Sequence, residues 1–214
     1  MNPAVNNAER LRIEHPAILA LHRVAPAVSG RQRPAVIWMT GPSGAGKTTI
    51  ACELQRELEQ RGLMAGRLDG DDLRTGLCSD LGFSQCDRNE NVRRAVEVAH
   101  LMAQSGLVVI VSLISPFRAG RAQARARFAA DEFFEVFVDT PLEVAELRDP
   151  KGLYRRARRG EISQFTGIDS PYERPEAPEI TLDTVDHSPE QCAFTVLDAL
   201  ASAGRLPTLT RGQS

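Results

Sequence analysis

The chain has 214 residues, of which 42% are hydrophobic and 25% charged, so one domain with one sizeable core is the default expectation. Its formal net charge is −2, which argues against proteins that bind nucleic acid or an anionic membrane surface. The longest apolar run, residues 107–114, is too short to span a bilayer, and the first residues do not resemble a secretory signal. The four cysteines form no C-x-x-C pair, so we expect reduced thiols, a cytoplasmic protein and no structural metal site.

Taken in order, the chain begins with an N-terminal arm, residues 1–33, which we expect to be ordered only against a partner subunit. The main domain is predicted over residues 34–204, and residues 205–214 form a C-terminal tail. Apolar runs predict strands at 35–39, 63–68, 107–113, 133–138 and 180–182. Helical spacing of apolar residues predicts helices at 47–61, 87–105, 118–130 and 189–203. This alternation predicts an α/β fold with a doubly wound parallel sheet of about five strands and helices on both faces.

A glycine-rich loop follows the first predicted strand and fits the pattern G-x-x-x-x-G-K-[ST]. It consists of Gly41, Pro42, Ser43, Gly44, Ala45, Gly46, Lys47 and Thr48, and Thr49 continues into the predicted helix. Strand, loop and helix in this order are the setting of a P-loop rather than of an ordinary glycine turn. Its backbone N–H groups and Lys47 can bind nucleotide phosphates, and the Thr48 hydroxyl can bind Mg²⁺.

Two acidic residues, Asp69 and Asp71, follow the second predicted strand, at the sheet edge where the P-loop lies. One of them can hold hydrated Mg²⁺ and the other can accept a proton from a hydroxyl, and spacing alone does not decide which does which. The alternative role for acids at a strand end is helix capping. Five arginines are expected near the same edge, which predicts an anionic acceptor: Arg74, Arg88, Arg93, Arg94 and Arg118.

Residues 148–178 interrupt the alternation with a segment that is dense in arginine and contains several prolines. A basic, glycine-hinged segment beside a phosphate site predicts a lid that closes over nucleotide and excludes water. The alternative interpretation is a solvated basic helix.

Seven stretches together closely resemble the adenylylsulfate kinase family, in the order in which that family has them. They are residues 68–74, 80–84, 87–94, 114–118, 137–141, 149–154 and 165–170. The resemblance implies transfer of the γ-phosphoryl group of ATP to the 3′-hydroxyl of adenosine 5′-phosphosulfate. It also implies Mg²⁺, a homodimer and an association with ATP sulfurylase.

The resemblance assigns roles to residues by position. Those implied to be catalytic are Lys47, Asp69, Asp71, Ser115 and Lys151, with Thr48 and Asp69 at the metal. The P-loop, Thr49 and Arg148 are implied to bind ATP, Arg148 at the adenine. The acceptor would be bound by Asp71, Arg74, Phe83, Arg88, Asn91, Ile114, Ser115, Lys151, Phe165 and Thr166. Phe83 and Phe165 would stack on its adenine, although core packing is the ordinary role of either ring.

Two assignments stay open. Asp71 is favoured as the acid nearest the acceptor hydroxyl. Ser115 matches a serine to which the family assigns a phosphorylated intermediate, whereas direct in-line transfer needs no such relay and leaves Ser115 as a polar contact.

The chain departs from the family pattern at four positions: Pro42 and Ala45 in the P-loop, Asp72 where asparagine is usual, and Phe117 where histidine or tyrosine is common. None of them removes a group that phosphoryl transfer needs. The alternative functions are another small-molecule P-loop kinase, and a non-catalytic nucleotide switch or regulatory domain.

Overall fold

The computed structural model describes residues 32–206, so the predicted arm, apart from its last two residues, lies outside the described residues, as does most of the predicted tail. Five parallel strands form one sheet, in the order β2-β3-β1-β4-β5. They are β1 (Ala35–Thr40), β2 (Ala65–Asp69), β3 (Val108–Ser112), β4 (Phe133–Asp139) and β5 (Ile180–Asp183). The predicted fold class and all five predicted strands are confirmed.

Seven helices accompany the strands within residues 32–206. They are α1 (Lys47–Gln60), α2 (Gly70–Thr75), α3 (Gln85–Gln104), α4 (Arg118–Arg125), α5 (Leu142–Arg148), α6 (Leu153–Arg158) and α7 (Pro189–Ser202). The four predicted helices are present, but α4 ends five residues before the predicted boundary. Helices α2, α5 and α6 were not predicted because six or seven residues are too few to show an apolar period.

The side chains of the central strand, β1, point alternately into two cores, so the sheet is buried on both faces. Ile37 and Met39 of β1 belong to the core beneath α1 and α7. Val36 and Trp38 belong to the core beneath α3, and Trp38 is fully buried. A strand buried on both faces has the continuous apolar sequence that predicted it.

Residues 142–170 form a small unit of their own over the carboxyl ends of the strands, which we call the lid. Tyr154 and Phe165 pack edge to face in its core, with ring centroids 5.0 Å apart. The predicted basic segment is therefore not only a solvated helix, because α6 buries Tyr154 in this core. No helix within residues 32–206 is both long and apolar enough to cross a membrane.

Candidate active site

A cleft of about 1090 Å³ opens at the carboxyl ends of the strands, between the sheet and the lid. Every residue to which the resemblance assigns a role lines it, except Gly41 and Pro42. The carbonyl oxygens of these two residues instead accept hydrogen bonds from Lys47 Nζ, at 2.9 and 2.7 Å. The fold thus brings the predicted phosphate, acid and acceptor residues into one continuous space.

The P-loop is held closely between the sheet and the lid. Gly44 has a φ of +73°, and a Cβ at this position would lie 2.8 Å from the carbonyl oxygen of Ala145. Only glycine fits both the conformation and this close approach. Ala145 belongs to the lid, and the lid makes a second contact with the loop: the Tyr154 hydroxyl donates a hydrogen bond of 2.9 Å to the carbonyl oxygen of Ser43. The loop can therefore direct its N–H groups into the cleft without a side chain in the way.

Lys47 begins α1 and is buried. Burial lowers the pKa of its ammonium group from 10.5 to about 8; nearby Asp69 and Asp71 act in the opposite direction, and Lys151 lowers it further. In the ligand-free protein, the neighbouring groups therefore balance the positive charge of Lys47 only in part. Phosphate oxygens in the cleft would supply the missing negative charge.

Thr48 and Asp69 meet behind the P-loop. The Thr48 hydroxyl donates to Asp69 Oδ2 at 2.7 Å, and Asp69 Oδ1 accepts from the Asp71 N–H at 3.0 Å. Asp69 is thus both the helix cap considered as the alternative and a partner of the P-loop threonine. The bond from Thr48 uses its hydrogen and leaves its oxygen lone pairs free for a cation.

The residues around Thr48 fit a magnesium ion that shares its coordination with phosphates. Within residues 32–206 no group of three or more His, Cys, Asp or Glu side chains could hold a metal ion by itself. Mg²⁺ does not need such a cage, because it is commonly bound through one or two protein oxygens together with waters and substrate phosphates. Thr48 would provide the protein oxygen, and Asp69 lies directly behind it.

Asp71 and Lys151 form an ion pair between α2 and the lid. Both side chains remain more than half exposed to the cleft. Asp72, the unusual neighbour, is also exposed and lines the cleft. A carboxylate and an ammonium group that can leave each other for other partners thus lie beside Lys47.

The opposite side of the cleft carries cations and an aromatic ring. The Arg74 guanidinium lies 4.4 Å from the centroid of the Phe83 ring, and that of Arg88 lies at 5.6 Å. Burial lowers the pKa of both arginines, and neither forms an ion pair with a carboxylate within residues 32–206. Two desolvated cations without acidic partners form a site that favours an anion.

An anionic acceptor was predicted from five arginines near this edge of the sheet. Three of them do not line the cleft, so the prediction of their position was wrong. Arg93 and Arg94 form ion pairs with Glu90, and Arg94 also with Asp80. Arg118 forms an ion pair with Glu176. These side chains lie on outer surfaces of the helices, because each helix turns only part of its circumference toward the cleft.

Polar groups without partners among residues 32–206 also line the cleft. Asn91 Nδ2 and Thr166 Oγ1 are buried and have no hydrogen-bond partner within residues 32–206. Ser115 is buried with a φ of +43°, and its Oγ accepts a hydrogen bond of 3.1 Å from Trp38 Nε1. The preceding carbonyl, that of Ile114, accepts a bond of 2.7 Å from the Thr40 hydroxyl. Orphaned polar atoms and an unusual backbone angle mark this wall as built for a ligand.

The two predicted stacking rings differ in their surroundings. Phe83 is 52% exposed, whereas Phe165 is 7% exposed and packs against Tyr154. The Phe83 ring is accessible to a ligand in the cleft, whereas the Phe165 ring belongs to the core of the lid. Arg148 lies at the far end of the cleft, where its guanidinium donates to the Thr184 hydroxyl at 3.1 Å.

Comparisons with known proteins agree with this geometry. Residues 33–183 match the family model described as adenylylsulphate kinase. The chain belongs to the adenylylsulphate kinase family. It is similar to an adenylyl-sulfate kinase of Burkholderia ambifaria, with 58% identity over 77% of this chain and 91% of the relative.

A solved structure has the same fold: the adenylylsulphate kinase CysC of Mycobacterium tuberculosis, in complex with AMPPNP and APS. It is 51% identical, with a TM-score of 0.76, over 79% of this chain and 99% of that one. A bifunctional CysN/CysC enzyme of Xylella fastidiosa is 54% identical over 87% of this chain, which spans 30% of that enzyme. Membership of the adenylylsulphate kinase family makes the chain a phosphotransferase of sulfate assimilation.

Several side chains that line or support the cleft were not predicted as site residues, among them Tyr154, Arg67 and Ser112. Tyr154 lies in a stretch that carried the resemblance, and only its contact with Ser43 reveals its role. Arg67 and Ser112 lie within β2 and β3 and line the cleft. The apolar run that predicted β3 gave no reason to separate Ser112 from its neighbours.

Proposed function

We propose that the chain transfers the γ-phosphoryl group of ATP to the 3′-hydroxyl of adenosine 5′-phosphosulfate, giving 3′-phosphoadenosine 5′-phosphosulfate and ADP. One observation carries the proposal. A single cleft joins a P-loop with a buried lysine to a wall where Arg74 and Arg88 surround the exposed ring of Phe83. An aromatic ring flanked by two unpaired cations suits an adenine that carries an anionic group. The similarity to a structure titled as a complex with AMPPNP and APS supports this acceptor.

ATP would occupy the end of the cleft formed by the P-loop. The loop N–H groups from Ser43 to Thr49 and the Lys47 ammonium group would bind its phosphates. Arg148 would contact its adenine. Thr48 would be the protein ligand of Mg²⁺, with Asp69 hydrogen-bonded to it, and the ion would supply positive charge to the phosphates.

Adenosine 5′-phosphosulfate would occupy the other end. Half-buried Arg74 and buried Arg88 would bind its phosphosulfate, because neither forms an ion pair with a carboxylate within residues 32–206. Phe83 would stack on the adenine and Phe165 would close the opposite side. Asn91 and Thr166 would direct their unpartnered polar atoms to the substrate, and Ile114 would pack against it.

In the transfer step, the 3′-oxygen attacks the γ-phosphorus, and the bond from that phosphorus to the oxygen of ADP breaks. Asp71 would accept the proton of the hydroxyl, since its carboxylate faces the cleft. Lys151 would leave Asp71 and move its charge onto the transferring group. Ser115 would serve as a polar contact held by Trp38, because direct in-line transfer needs no phosphorylated intermediate.

The chain is expected to act as a homodimer in the cytoplasm. A functional association with a sulfurylase is part of the proposal, since a bifunctional CysN/CysC relative contains a region 54% identical to this chain. No nucleic acid or membrane partner is proposed.

An acceptor panel tests the function. ADP release would be followed with Mg-ATP and either adenosine 5′-phosphosulfate, AMP, adenosine, gluconate or shikimate. Rapid release with the phosphosulfate alone is the expected result. Equal or faster release with gluconate or shikimate would support another small-molecule kinase, and ATP binding without turnover would support a regulatory domain.

A further inference from the structure

Ser112, the last residue of β3, has a buried hydroxyl group that the proposed mechanism does not use. The residue is 4% exposed and lines the cleft. Its Oγ atom has no hydrogen-bond partner among residues 32–206. An orphaned hydroxyl in a native interior costs free energy, so such an atom calls for a partner that residues 32–206 do not supply.

The register of the sheet shows where this hydroxyl points. Ser112 is level with Met39 of β1 on one side and with Asp69 of β2 on the other. Side chains level with each other in a parallel sheet point to the same face, and Met39 belongs to the core beneath α1. Ser112 therefore lies on the face that carries the amino-terminal end of α1, next to the strand end that holds Asp69.

The groups around Ser112 leave one kind of hydrogen-bond partner for its hydroxyl, a water that comes with the bound nucleotide. Both oxygens of Asp69 are already engaged, one by the Thr48 hydroxyl and one by the Asp71 N–H. Magnesium keeps several water ligands when it binds nucleotide phosphates, and each of these waters needs a hydrogen-bond acceptor. In P-loop enzymes such acceptors stand at strand ends beside the P-loop.

We propose that the Ser112 hydroxyl accepts a hydrogen bond from a water in the coordination shell of the nucleotide-bound Mg²⁺. The proposal rests on the proposed function only in requiring a magnesium nucleotide in the cleft. Ser112 is then a positioning residue: it does not touch the reacting atoms, and it holds a metal water together with Asp69. Its loss would weaken the binding of nucleotide only when Mg²⁺ is present.

The test compares Ser112→Ala with Ser115→Ala. Both variants remove one hydroxyl from the same cleft, but Ser115 Oγ already has a protein partner in Trp38. ADP binding would be measured by calorimetry for each variant and for the unchanged chain, once with Mg²⁺ and once with EDTA. Thermal unfolding without nucleotide would be measured alongside.

We expect Ser112→Ala to weaken Mg-ADP binding by roughly tenfold, as the loss of an outer-shell partner typically does, while binding of metal-free ADP stays unchanged. Its melting temperature should stay the same or rise, because an unsatisfied hydroxyl is removed. Ser115→Ala should leave the ratio of the two affinities unchanged.

Three results would overturn the proposal: an unchanged ratio in Ser112→Ala, an equal loss with EDTA, or a similar shift in Ser115→Ala. These results differ from a failure of the proposed function. If the unchanged chain binds Mg-ADP but releases no ADP with adenosine 5′-phosphosulfate, the proposed acceptor is wrong. The role of Ser112 is then decided only by the ratio of ADP affinities with Mg²⁺ and with EDTA in Ser112→Ala. If the unchanged chain shows no benefit from Mg²⁺, both proposals fail.

Discussion

The Lys151 ammonium group forms an ion pair with the Asp71 carboxylate, across 80 residues of sequence. The pair connects the lid to the strand end that carries the acids. It also keeps the proposed proton acceptor and the proposed lid cation together while no substrate is bound. Because both side chains are more than half exposed, the pair can open when substrates arrive.

Lys151→Ala should lower the turnover number by about a hundredfold, since it removes a cation from the transferring phosphoryl group. The melting temperature should change by less than about 2 °C because the ion pair is exposed. Arg158→Ala is the matched control: it also removes a paired cation from the lid, one bound to Glu146 at 2.9 Å. Steady-state kinetics that show equal losses in the two variants would contradict a specific role for Lys151.

The pH dependence of ATP use should report Lys47. Burial lowers the pKa of this residue to about 8 in the ligand-free protein, so the ammonium group is charged below that pH and neutral above it. Since phosphate binding needs the charge, kcat/KM for ATP should fall about tenfold per pH unit above pH 8. Lys47→Met should bind ATP weakly and lose this pH dependence. A profile of the unchanged chain that stays flat up to about pH 10 would show that Lys47 keeps its charge and that burial does not control it.

Arg74→Ala should raise KM for adenosine 5′-phosphosulfate by about tenfold or more and leave KM for ATP nearly unchanged, because a charged partner of the phosphosulfate is lost. Arg93→Ala provides the control, since this arginine forms an ion pair with Glu90 and does not line the cleft. The two Michaelis constants would be measured for both variants. A larger effect on ATP than on the phosphosulfate would place Arg74 at the wrong end of the cleft.

Phe83→Ala and Phe165→Ala should separate stacking from packing. Phe83 is 52% exposed, so its truncation should weaken acceptor binding, by about 1–3 kcal/mol, with little change in melting temperature. Phe165 is 7% exposed in the lid core, so its truncation should also destabilise the protein, by about 3–5 kcal/mol if the lid unfolds with the rest. Ligand titration and denaturant unfolding measure the two effects. Loss of ATP binding alone in Phe83→Ala would contradict its assignment.

The sequence predicted the long elements and the P-loop because their signals are local. A buried parallel strand such as β3 is continuously apolar, and α1 shows its apolar period over four turns. The helix α6 was missed because six residues show no period, although its position in a basic segment was noted. Short elements are defined by what they pack against, which spacing does not contain.

The same difference between local signals and contacts in space applies to the candidate site. The sequence identified Lys47, Thr48 and Asp69, whose positions follow from a motif and a strand end. It placed Arg94 and Arg118 too near the cleft because it could not tell which face of a helix each occupies. The sequence did not identify Ser112, because a hydroxyl that lacks a hydrogen-bond partner is recognised only once its neighbours in space are known.

Analogues of the acceptor that lack one hydroxyl test the central claim most directly. ADP release and the mass of the nucleotide product would be measured with Mg-ATP and either the 2′-deoxy or the 3′-deoxy form of adenosine 5′-phosphosulfate. We predict that the 2′-deoxy form gains one phosphoryl group and that the 3′-deoxy form binds competitively without gaining any. Phosphorylation of the 3′-deoxy form, or none of adenosine 5′-phosphosulfate itself, would contradict the account.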